Sequence, residues 1–168
     1  SIQHLINKII GNIMITNPCS LQTKGEMVSD CLNQSVLQDT FSESVSCGKR
    51  GRKQNWTNKS GTSHCGVCMP CIYRRAALHK KNLDTQLYGN DILNATSLDN
   101  YVDMAALFDY LKTSLPLDKI KRDLIVNGSL PFDKLDVFAD VVIRSRLELL
   151  KWFSDKGNSY IKTELGLQ

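Results

Sequence analysis

Cys47 to Cys71 constrains the chain more than any other stretch. Cys65, Cys68 and Cys71 stand three residues apart in Cys-Gly-Val-Cys-Met-Pro-Cys, and Cys47 lies upstream across a Gly-, Ser- and Asn-rich loop. A Cys-x-x-Cys turn offers two thiolates from one backbone corner. The third Cys follows one helical step later, and Cys47 can close a tetrahedral shell of four sulfurs, the pattern of a structural zinc site. The same Cys-x-x-Cys-x-x-Cys spacing also suits an iron–sulfur cluster. That reading expects a further Cys followed by Pro soon after Cys71, and neither follows. His64, adjacent to Cys65, is awkwardly placed to bind the same ion and is expected beside the site or in solvent.

The 168 residues suffice for one domain, and 42% hydrophobic with 23% charged residues is ordinary globular composition. No apolar run approaches the length of a membrane span. The opening residues lack the basic lead and cleavage site of a signal peptide. Six Cys with metal-like spacing and no export signal point to the reducing cytoplasm. The net charge of +4 suggests no particular partner, but its distribution is uneven. Between Ser44 and Leu83 there is no Asp or Glu, while Lys49, Arg50, Arg52, Lys53, Lys59, Arg74, Arg75, Lys80 and Lys81 fall there. Part of this block balances the formal −2 of a four-thiolate zinc, and the rest suits phosphates.

Ile2, Leu5, Ile6, Ile9 and Ile10 form one helical stripe, predicting a buried helix over 1–10. A buried helix that starts with the chain, with no capping motif before it, is expected of a piece of a longer polypeptide. Ile13 to Thr16 reads as a short strand stopped by Asn17-Pro18. Thr23-Lys24-Gly25-Glu26 has capping-box form and opens a helix with Met27, Val28, Cys31, Leu32 and Val36 on one face. A helix follows Cys71, with that Cys in its first turn. Residues 82–98 are loose. Tyr101, Ala105, Phe108 and Leu111 mark a further helix, and Leu117 to Ile125 another. The longest runs from about Pro131 to Lys156 on Leu135, Phe138, Val142, Ser145, Leu149 and Trp152 or Phe153, ended by Gly157.

Ile15-Thr16-Asn17-Pro18, Thr23-Lys24-Gly25-Glu26, Val45-Ser46-Cys47, Cys65 to Cys71 and Arg74 occur in that order. Together they resemble the C-terminal part of 7-cyano-7-deazaguanine synthase, the QueC family. The resemblance covers roughly residues 1–83. It implies an α/β fold of the adenine nucleotide α-hydrolase type, with a zinc-binding loop at 47–71. It further implies ATP-dependent activation of a 7-deazaguanine carboxylate. Cys47, Cys65, Cys68 and Cys71 would hold zinc, and Thr23, Lys24 and Arg74 would line the nucleotide or substrate cleft. Arg74 would alternatively brace the thiolates. The family's Ser-Gly-Gly phosphate loop is absent, so activity requires an N-terminal ATP-binding half on the same or another chain. Residues 84–168 form a helical extension, similar to extended QueC-like proteins of anti-phage operons, where a partner protein subunit is expected. This makes the chain mainly α despite its α/β parentage. Two further readings stand beside this one. One is a zinc ribbon whose basic loop grips nucleic acid, with Trp56 stacking on a base between Arg52, Lys53 and Lys59. The other is a scaffold whose helices after Asn100 dock a partner subunit.

Overall fold

A computed structural model describes residues 2–128 and 130–167. Eight α-helices account for most of it: α1 Ile2–Ile9, α2 Lys24–Ser29, α3 Gln34–Thr40, α4 Met69–His79, α5 Val102–Lys112, α6 Leu117–Asn127, α7 Leu135–Lys156 and α8 Ser159–Leu165. Short 3-10 turns punctuate the loops, and no strand occurs among the described residues. The fold is therefore helical, and the expected α/β character is not present in it. Ile13 to Thr16 forms no strand: a strand needs a neighbour, and here the Ile13 N–H turns back to the Gly11 carbonyl at 2.8 Å and the Ile15 N–H is satisfied by the Gln3 side chain at 2.7 Å.

α1 forms where periodicity places it, but buries nothing. Ile2 and Ile9 are 73% and 72% exposed. The capping box at Thr23 is complete, with Thr23 Oγ1 accepting from the Glu26 N–H and Glu26 accepting from the Thr23 N–H. The helix it opens is shorter than its apolar pattern predicts. Asn33 caps a new helix, so Met27 and Val36 belong to separate elements and Leu32, in the break, is wholly exposed.

α7 is the central strut, packing on α4, α6, α2 and α8, while α5 packs on α8 and α4. Its core contacts are Leu135, Ala139, Leu149, Trp152 and Phe153; Phe138, Val142 and Ser145 are only half-buried. On α5 the buried stripe is Met104, Leu107, Phe108 and Leu111, displacing Ala105 toward the rim. One apolar core joins Trp56, Cys65, Cys68, Cys71 and Ile72 to Phe108, Trp152, Phe153 and Ile161. The tail folds as α8, with Asn158 as its cap, and Ile161 is fully buried. Gly157 ends α7 as expected.

Candidate metal centre and adjoining groove

The four predicted cysteines converge. The Sγ atoms of Cys47, Cys65, Cys68 and Cys71 all lie within 4.8 Å of one another. The Cys65–Cys71 and Cys68–Cys71 sulfurs are 3.8 and 3.4 Å apart. A tetrahedral zinc with Zn–S bonds of about 2.3 Å requires sulfur–sulfur edges of about 3.8 Å, so the shell fits such an ion. All six cysteines are free thiols, and Cys65, Cys68 and Cys71 are buried while Cys47 is half-buried.

Each ligand is placed by a local cause. Pro70 sits in the first turn of α4, where its missing N–H costs nothing. Cys71 follows in the same turn, near the positive end of the helix dipole, which favours a thiolate. The backbone also points donors at sulfur. Lys49 N–H and Cys65 N–H donate to Cys47 Sγ at 3.4 and 3.3 Å, and Val67 N–H donates to Cys65 Sγ at 3.5 Å. Hydrogen bonding with Cys68 pushes Cys65 up to about 12, hydrogen bonding with Cys65 and Cys68 raises Cys71, and hydrogen bonding with Cys65 and Cys71 lowers Cys68, so the three buried thiols titrate together. A divalent cation would hold all four as thiolates, because metal ligation requires the deprotonated sulfur.

The knuckle is clamped by a segment whose sequence pattern marks only a loose turn. Asn90 N–H donates to the Cys65 carbonyl at 2.9 Å and Gly89 N–H to the His64 carbonyl at 2.8 Å. Gly66 has φ +80°, and a Cβ there would stand 2.2 Å from the Asn90 oxygen. Gly89 lies against the Trp56 ring, at a distance that leaves no room for a side chain. Trp56 is thus 4% exposed and closed to base stacking. His64 is fully buried, not solvated. Its Nε2 accepts from the Ser46 N–H at 3.3 Å, and burial holds its imidazole below the ordinary range.

Of the residues expected at a cleft, Lys24 and Arg74 do line one. An open groove of about 440 Å³ lies between α2, α3 and α4, floored by Met27, Val28 and Leu78. Half-buried Cys31 lines it too, a groove wall rather than core. Thr23 is elsewhere: it is buried and hydrogen-bonded to Glu148. Arg74 does not touch the sulfurs. It donates to Ser44 Oγ at 2.7 Å and to the Phe41 carbonyl, and so braces the chain entering Cys47.

Two anchoring residues carry no motif. Arg75 is buried between Tyr88 and Trp152, 4.3 and 5.1 Å from their rings, and pairs with Asp84 at 3.1 Å. Glu148 on α7 accepts from Lys80 Nζ at 2.6 Å and from the Gly25 N–H at 3.2 Å. Their charge inside an otherwise apolar helical pattern is the one signal the sequence offers. No known protein family, characterised protein or solved structure matches this chain.

Proposed function

We propose that this chain is the zinc-bearing C-terminal portion of a QueC-like, ATP-dependent ligase that activates a 7-deazaguanine carboxylate. One observation carries the reading. The two segments that bear its motifs, Thr23–Glu26 and Cys65–Arg74, lie some 40 residues apart in sequence, yet α2 packs directly on α4. The groove between them presents Lys24 and Arg74 above an apolar floor. That combination suits a flat heterocycle carrying an anionic carboxylate, with Lys24 offsetting negative charge as the acyl-adenylate forms. Zinc would be held by Cys47, Cys65, Cys68 and Cys71. A closed four-thiolate shell leaves no position for water, so the ion supplies cross-linking rather than chemistry. ATP is a substrate whose phosphates need the N-terminal half.

The protein purified from its native source, with whatever N-terminal half accompanies it, provides the test. Carboxylate-dependent exchange of pyrophosphate into ATP is expected, and Lys24→Ala should lower it at least tenfold at an unchanged melting temperature. Chelation of zinc should instead lower the melting temperature. Absence of exchange with a 7-deazaguanine carboxylate, in protein that holds one zinc and binds ATP, would reject the ligase reading.

A further inference from the structure

The loop between Cys47 and Cys65 does nothing for the proposed ligase chemistry, yet it holds five cationic side chains and no Asp or Glu. Arg50, Arg52, Lys53 and Lys59 are all exposed on it. None of the four has a carboxylate partner among the described residues; their neighbour Lys49 pairs with Asp103 at 2.7 Å. The loop is also firmly held. It carries a 3-10 turn over Arg50–Asn55, Lys53 Nζ donates to the Thr62 carbonyl at 2.8 Å, and Trp56 anchors the turn from beneath. Four cations on a fixed loop, none of them paired with a carboxylate, exceed the formal −2 of a four-thiolate zinc and form a site that attracts closely spaced negative charge.

A cleft of about 340 Å³ opens beside them, lined by Arg52, Asn55, Thr57, Asn100 and Tyr101. It runs into a wider polar cleft through Thr57, Asn90, Asn100 and Tyr101. The Asn55 and Asn100 side chains are exposed at this cleft. A carboxamide offers a donor and an acceptor side by side, the complement of an unpaired base edge. An acidic peptide would engage the same cations and pair its backbone with these amides, whereas the Tyr101 ring lining the cleft adds a face on which a base stacks.

We propose that loop 49–59 and this cleft form a binding surface for single-stranded nucleic acid. The cations track the phosphates, and the cleft accepts an unstacked base through Asn55 and Asn100. Tyr101, not Trp56, supplies the aromatic wall. This surface is independent of the ligase reading.

The test is fluorescence polarisation of a labelled 20-nucleotide single-stranded RNA of mixed sequence with the zinc-loaded protein. About four phosphate contacts give a slope of about −2.8 in log K against log salt, so affinity should fall about 50-fold between 50 and 200 mM salt. The triple variant Arg50→Gln, Arg52→Gln, Lys59→Gln should bind at least tenfold more weakly and lose only about threefold over the same salt range. Asn55→Ala with Asn100→Ala should weaken binding severalfold with the salt slope unchanged, a result that distinguishes base contacts from bulk charge. Thermal melts of each zinc-loaded variant confirm that they fold. Three results would each overturn the proposal: no binding at 50 mM salt, binding by the triple variant equal to the parent, or binding of polyglutamate as tight as RNA.

Discussion

At Gly66 two requirements coincide. The backbone is left-handed, which any L side chain resists, and the space a Cβ would fill belongs to the Asn90 carbonyl. Gly61 separates the two effects, since its φ is +65° and nothing lies within 4 Å of where a Cβ would stand. Gly61→Ala should therefore cost only the backbone strain, about 1 kcal/mol. Gly66→Ala must add displacement of the 88–90 segment and should cost at least about 3 kcal/mol. Paired thermal melts of the zinc-loaded proteins check this, and equal costs would mean that the clamp is soft. A second residue-scale outcome concerns His64, which accepts a backbone hydrogen bond and is held neutral by burial. Its folded pKa is depressed, so its contribution is intact above the unfolded value of about 6.5 and declines as pH falls below it. His64→Gln should flatten that acid limb when denaturant midpoints of zinc-loaded protein are compared between pH 7.5 and 5.5.

Among the elements, α2 depends on a partner remote in sequence. Six residues are too few to hold a helix by propensity alone. The Glu148 carboxylate takes the Thr23 hydroxyl and the Gly25 N–H at its start and ties both to Lys80 at the end of α4. Glu148→Ala should cost about 2 kcal/mol. It should also speed hydrogen exchange at Glu26–Ser29 while leaving α6 protected; unchanged exchange in α2 would show that its apolar side holds it. The Cys spacing, the capping box and the long α7 were legible in the sequence because each is a local rule: ligand geometry, a three-residue reciprocal bond, a 3.6-residue period. Most of what escaped was non-local. The second helix is the exception: Asn33 is a preferred cap residue and its bond to the Val36 N–H is local, but the apolar period of Met27 and Val36 runs through the break and masks it. Tyr88-Gly89-Asn90 looks like any turn until Gly66 and Trp56 are brought against it. Ile13 to Thr16 has strand composition, yet composition supplies no neighbouring strand.

Across the whole molecule, the metal shell and the helical segment share one core, since Trp152 of α7 lies in the same buried cluster as Cys65, Cys68 and Cys71. Trp152→Ala should cost roughly 3–5 kcal/mol and lower zinc retention and helical content in a single transition. Two separate transitions by calorimetry would show the halves to be energetically independent. No described helix is long and apolar enough to cross a membrane. The seating of Trp56 against Gly89 has a practical corollary. The chain has only two tryptophans, so replacing Trp152 with Phe leaves an indole whose surroundings depend on the clamp around the knuckle. Its emission becomes an optical gauge of metal loading: blue-shifted while the clamp is shut, and moving to longer wavelength as a competing chelator draws the ion away and water reaches the ring.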